Sequence, residues 1–182
     1  MKALLTGILL AFIACINNSA PDKKMINNHP VKNFELNRYL GTWYEIARFP
    51  HSFEKGLTGV TATYSLRNDG KIRVINSGYK GSLNGKFKTI EGKAKVANNA
   101  GEGHLKVSFF LFFYADYYIL ELDTVNYEYA LVGSSSPKYL WILCRYPEMP
   151  EEIYVKLVEQ AKKRGYATEN LIKVEQKRNS EK

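Results

Sequence analysis

From Phe34 to Arg145 the chain repeats one pattern: short segments rich in Val, Ile, Thr, Tyr and Phe, cut roughly every ten residues by turn-forming residues. This rhythm excludes long helices and predicts an all-β domain, a sandwich or a barrel. Strands are expected near 42–49, 58–67, 71–79, 87–97, 104–114, 117–123, 127–133 and 138–145. They are punctuated by Asn68-Asp69-Gly70, Gly81-Ser82-Leu83-Asn84-Gly85, Asn98-Asn99-Ala100-Gly101 and Ser134-Ser135-Ser136-Pro137. Eight strands with short links pair antiparallel with their sequence neighbours. Such a meander can close on itself, which removes both sheet edges and leaves room for side chains or one small ligand.

With 182 residues the chain has the length of one domain, and its two cysteines, Cys15 and Cys144, cannot supply a disulfide framework. A packed core must hold it. Pro150-Glu151-Glu152 opens one helix and Lys162-Lys163-Arg164-Gly165 closes it, acids first and cations with glycine last. Tyr154, Leu157, Val158 and Ala161 share a face, so this helix is expected to pack on the outside of the β-structure. Leu171 to Val174 can add a short last strand.

Alternation fixes which side chains point in. Arg73 must face water, so Ile72, Val74 and Asn76 face the interior; Glu91, Lys93 and Lys95 face out, leaving Ile90, Gly92, Ala94 and Val96 inside. That inner set is small, which favours a barrel with a cavity over one filled by side chains. The run from Phe109 to Tyr114 is apolar on both faces and calls for a cover: the helix, the N-terminal segment, a second copy in a homodimer, or a membrane. Because Asp116 follows, the run is expected to end at the loop joining the fifth and sixth strands. That loop shares a barrel end with 50–57, 80–86 and 134–137. Phe49, Phe53, His51, Lys55, Lys80, Lys86 and Lys138 would make an apolar mouth with a basic rim. Together with a net charge of +8, this suits an anionic amphiphile.

At the N-terminus, Lys2 precedes an apolar run from Ala3 to Ile13, too short to span a bilayer but laid out like a secretory signal. Phe12-Ile13-Ala14-Cys15 resembles a lipobox, which implies removal of residues 1–14 and lipidation of Cys15; an ordinary signal cleaved nearby is the alternative. Residues 15–33, polar and aperiodic, read as a flexible tether, and 177–182 as a polar tail. The residues after Cys15 are Ile16 and Asn17 rather than an acid. The lipobox resemblance therefore implies lipid anchoring in a bacterial outer membrane, with the domain facing the periplasm.

Gly41-Thr42-Trp43 on the first strand, Asp123-Thr124-Val125-Asn126-Tyr127 before the seventh and Trp141 to Arg145 on the eighth resemble, in order, the three motifs of the lipocalin family. The resemblance covers 34–176. It implies an eight-stranded antiparallel up-and-down β-barrel with one C-terminal α-helix packed outside. Gly41, Trp43 and Arg145 would be its structural motif, the guanidinium lying across the indole at the closed end. It also implies a ligand wall of Ala47, Phe53, Ala62, Tyr64, Val74, Asn76, Ile90, Val107, Phe109, Tyr129, Leu131, Tyr139, Trp141 and Leu143. Tyr64, Asn76 and Trp141 would supply polar tips for a carboxylate or phosphate head group, or else be satisfied core residues.

The function implied is a membrane-anchored protein that stores or transports fatty acids or lysophospholipids, without catalysis or cofactor. A structural envelope lipoprotein without ligand remains an alternative, as does a lipocalin-type enzyme. Cys144 is expected to point outward beneath the helix, where a buried thiol is inert. His29, His51 and His104 lack metal-ligand spacing, so no metal is expected. The cations are scattered and no nucleic-acid-binding motif occurs, so nucleic acid is not an expected partner.

Overall fold

A computed structural model describes residues 25–97, 101–110 and 112–177. The signal segment, Cys15 and residues 178–182 of the tail lie outside these residues. Eight strands follow in order: β1 (Gly41–Arg48), β2 (Leu57–Leu66), β3 (Ile72–Lys80), β4 (Phe87–Val96), β5 (His104–Phe110), β6 (Phe113–Leu122), β7 (Tyr129–Gly133) and β8 (Leu140–Cys144). Each pairs antiparallel with the next. β1 closes the barrel, pairing with β2 through Gly41–Tyr44 and with β8 through Tyr44–Arg48. A short helix, α1 (Leu36–Tyr39), crosses the closed end. Helix α2 (Glu151–Lys163) packs outside, with Leu157 and Ala161 buried and Tyr154 and Val158 against the same cluster.

The last strand, β9 (Ile172–Lys173), pairs with Ala47 and Arg48 of β1 on the side that β2 has left. There the Gly59 amide donates to the Glu175 carbonyl, and Gln176 Nε2 donates to the carbonyls of Glu45 and Val60. The open end is splayed, and the C-terminal segment fills the gap.

Apolar residues form two clusters separated by the sheet. One fills the closed end of the barrel around Tyr39, Trp43, Ile72, Val74, Leu105, Ile119 and Val132. The other lies between the outer sheet face and α2, around Ala47, Phe49, Leu131, Leu140, Ile142, Leu157 and Tyr166. This second cluster corrects several expectations. In β1 the pairing register shifts between Glu45 and Ala47, a β-bulge that turns Ala47 from the interior to the helix side. Tyr129 and Leu131 also belong to the helix side, because Ala130 and Val132 take the inward positions of β7. Phe49 is buried against Tyr166, with ring centroids 6.2 Å apart, rather than standing at the mouth.

Two further expectations change. The β5–β6 hairpin turns between Phe110 and Phe113, which pair with each other, and not at Asp116, which sits within β6 opposite Lys106. Phe110, Phe112 and Phe113 therefore stand at the tip of a hairpin, where they are 71%, 85% and 81% exposed, and among the described residues neither the helix nor residues 25–33 cover them. Residues 25–33, expected as part of a free tether, are docked instead. The Asn27 amide donates to the Arg164 carbonyl, Val31 exchanges backbone hydrogen bonds with Ile119 and Gly103, and Ile26 packs on the outer cluster.

Candidate functional site

The barrel interior holds a cavity of about 770 Å³, a size suited to one ligand. Its lower wall comes from alternate residues of β2 and β3: Ala62, Tyr64, Val74 and Asn76. Ile90, Val107 and Phe109 continue the wall across β4 and β5, and Tyr139, Trp141 and Leu143 complete it on β8 and the loop before it. Phe53, on the 3-10 turn Ser52–Glu54 of the β1–β2 loop, stands over the opening. Eleven of the fourteen residues expected on the ligand wall thus meet here, and Ala47, Tyr129 and Leu131 do not.

Gly92 explains why the wall of β4 is small. A Cβ there would lie 2.6 Å from the Phe109 ring and 2.7 Å from the Ser108 carbonyl, so the glycine makes room for a neighbouring aromatic. Part of the volume that small residues leave on β4 is filled by Phe109, and the rest remains open. At the rim, Lys55 and Lys80 line the opening as expected, joined by Lys88, whereas Lys86 is not on the wall.

The closed end is built around Trp43. The guanidinium of Arg145 lies 3.9 Å from the indole centroid and donates to the carbonyls of Thr42, Arg38 and Tyr127 at 3.0, 2.7 and 3.1 Å. Trp43 Nε1 donates to the Tyr39 carbonyl at 2.8 Å. Gly41, at φ +95°, starts β1 where a Cβ would come within 3.3 Å of the Arg145 guanidinium. Before β7, the Asp123 carboxylate accepts from the amides of Val125, Asn126 and Glu128, which holds the turn and lets Tyr127 adopt φ +59°.

Sequence reasoning missed a buried polar network beside the opening. Glu45, Arg48 and Glu54 are almost fully buried, and both carboxylates line the cavity. Arg48 forms an ion pair with Glu45 and donates to the carbonyls of Glu54 and Leu57, tying the β1–β2 loop to the barrel. Glu54 Oε2 lies 2.8 Å from His51 Nε2 and accepts from Trp141 Nε1 at 3.3 Å. Burial, reinforced by the Glu54 carboxylate, raises the Glu45 carboxyl well above its usual range against the pull of Arg48. The available signal was Glu45 itself, a carboxylate in inward register with Trp43 and three residues before an arginine.

Deeper in, Tyr64 Oη donates to Tyr117 Oη at 3.0 Å, and Tyr117 Oη lies 2.8 Å from Tyr39 Oη. Burial raises all three phenols, Tyr64 to about 12, so they stay protonated. Cys144, next to the lining residue Leu143, faces away from the cavity and is buried, and burial pushes its thiol up. Among the described residues no cluster of three or more His, Cys, Asp or Glu is placed to hold a metal ion.

Residues 34–176 match the family model of the lipocalin-like domain. The chain belongs to the lipocalin family. The barrel, the Arg145 plug and the three motifs fall within the matched residues. This lipocalin is 51% identical over 147 residues to the outer membrane lipoprotein Blc of Vibrio cholerae serotype O1, covering 81% of this chain and 85% of that one. It is 43% identical over 164 residues to the outer membrane lipoprotein Blc of Escherichia coli strain K12, covering 90% and 89%. Among solved structures, insecticyanin from the tobacco hornworm Manduca sexta shares the fold at a TM-score of 0.67 and 21% identity, over 83% of this chain and 85% of that one.

Proposed function

We propose that this lipocalin is a lipid-binding lipoprotein of the bacterial outer membrane that stores or transports fatty acids or lysophospholipids, held by a lipid on Cys15 and facing the periplasm. The observation that carries the reading is the cavity: a mostly apolar interior of about 770 Å³ whose opening is lined by Lys55, Lys80 and Lys88, with the Glu45 and Glu54 carboxylates drawn into the buried network with Arg48. An acyl chain gains by leaving water for such a wall, and its anionic head group gains by staying among the lysines. The relatives named outer membrane lipoproteins support the location. The reading requires neither catalysis nor cofactor. The exposed Phe110, Phe112 and Phe113 at the hairpin tip offer an apolar face through which two copies would associate as a homodimer.

Native mass spectrometry of the protein purified from its host, followed by lipid extraction, tests ligand and assembly together. A fatty acid or lysophospholipid is expected at up to one per barrel, on a species of twice the chain mass. Trp141 should report the ligand by a change in fluorescence, and Trp141→Ala should weaken binding by about 1–3 kcal/mol through lost apolar contact. An empty barrel with no saturable response to acyl ligands would overturn the carrier reading, and a monomer mass would overturn the homodimer.

A further inference from the structure

Three lysines border the opening of the cavity: Lys55 in the loop before β2, Lys80 at the end of β3 and Lys88 near the start of β4. The pairing register gathers them on one side. Lys88 is opposite Gly78, two residues from Lys80 in the same alternation, so Lys80 and Lys88 are diagonal neighbours with backbones about 7–8 Å apart. Leu57 is opposite Lys80, and Lys55 lies two residues before it. Lysine side chains are long enough to bridge such gaps, so one bound group can meet all three ammoniums. All three residues are exposed, and among the described residues none of their side chains forms an ion pair. The acids bordering the same cavity are already partnered: Glu45 with Arg48, Glu54 with His51 and Trp141, and Asp116 with His104 and Lys106. The ammoniums at the opening are therefore left for a ligand to balance.

We infer that the opening selects a single-chain lipid ending in a phosphate monoester, whose terminal oxygens are taken by Lys55, Lys80 and Lys88 while the acyl chain fills the cavity. The inference rests on the proposed carrier function and narrows its ligand class to one head group. Like charges held together repel, and the ligand that brings the most negative charge to one point relieves that repulsion best. A carboxylate brings one charge on two oxygens, and a phosphodiester does the same. A phosphate monoester brings nearly two charges on three acceptor oxygens at neutral pH. Lysine suits such a group, because its ammonium is a compact point charge that needs no planar partner. A zwitterionic head group fits worst, since its own ammonium enters the same cluster of cations.

Isothermal titration of the delipidated protein, below the micelle concentration of each lipid, tests this with four ligands that share one oleoyl chain: oleate, lysophosphatidate, lysophosphatidylglycerol and lysophosphatidylcholine. At low salt lysophosphatidate should bind about three- to tenfold more tightly than lysophosphatidylglycerol, which has the same chain and a phosphodiester in place of the monoester. Lysophosphatidylcholine should bind more weakly than either. The advantage of the monoester should shrink as sodium chloride is raised from about 20 to about 500 mM, because screening weakens exposed charge contacts. Replacing Lys80→Gln and Lys88→Gln together should bring the ratio of the monoester and diester affinities close to one. Glycerol 3-phosphate, the head group without a chain, should show no saturable binding, which separates a lipid site from a site for free phosphate esters. The inference is overturned if lysophosphatidate binds no better than lysophosphatidylglycerol, if lysophosphatidylcholine matches it, if glycerol 3-phosphate binds as tightly, or if the ratio survives high salt or the double substitution. Should the double variant not fold, the ligand series and its salt dependence on the unmodified protein decide alone. Failure of all four lipids to bind would overturn the carrier reading as well, whereas binding of all four without preference would overturn only this inference.

Discussion

At the scale of single residues, Arg145 shows how one side chain can close a barrel. Its stacking on Trp43 and its three bonds to carbonyls of α1, β1 and the turn before β7 join elements far apart in sequence. Arg145→Ala should lower stability by about 1–3 kcal/mol in denaturant titration and leave ligand preference unchanged, since the plug lies at the end away from the rim. An unaltered midpoint would remove the plug role. Glu45 makes a prediction in pH. Its folded-state carboxyl is raised well above 4.5, mainly by burial, so the folded protein keeps a proton that the unfolded chain releases. Stability from this group is therefore complete below pH 4.5 and declines as pH rises toward the folded value. Asp116 acts in the opposite window. Burial alone would raise its carboxyl, but hydrogen bonds from His104 and Lys106 hold it below 3.8, so its contribution is lost only as pH falls further. Melting temperatures at pH 5 and pH 8 should accordingly differ less in Glu45→Gln than in the unmodified protein; an equal difference would contradict the assignment.

Among the elements, α2 and the bulge of β1 are coupled. The bulge turns Ala47 outward, and Ala47 with Leu131, Leu140 and Ile142 forms the floor on which Leu157 of α2 rests. Leu157→Ala should cost about 2–4 kcal/mol, because a fully buried leucine leaves a cavity that the sheet beneath cannot fill. Acyl-chain affinity should be unchanged, since the sheet separates the two clusters; a parallel loss of binding would show that α2 shapes the cavity. Periodicity located all eight strands and the apolar face of α2 in the sequence. It could not locate the β5–β6 turn. Phe109 to Tyr114 contains no glycine, proline or asparagine, and an unbroken apolar run offers no local mark for a hairpin whose ends are fixed by pairing of Phe110 with Phe113.

For the whole molecule, the docked stretch 25–33 shortens the reach of any anchor. From Cys15 to Ile26 there are eleven residue steps, at most about 40 Å when fully extended, so lipidation at Cys15 would keep the barrel close to the membrane surface. Cys15→Ala should move the protein from the membrane to the soluble envelope fraction and abolish labelling by a palmitate analogue. A wild-type protein that is soluble and unlabelled would refute the anchor.

What the sequence determined by itself was the barrel: strand number, antiparallel order, the outer helix, the Trp43–Arg145 pair and eleven of the fourteen expected wall positions follow from alternation, turn residues and family motifs. Tertiary structure alone decided the rest. Ala47, Tyr129 and Leu131 face α2 because a bulge and a register choice, neither visible in local composition, set which face of each strand is inside. The Glu45–Arg48–Glu54 network and the unpartnered Asn76 Oδ1 likewise exist only once the barrel closes, because burial and hydrogen-bond satisfaction are properties of neighbours brought together across strands.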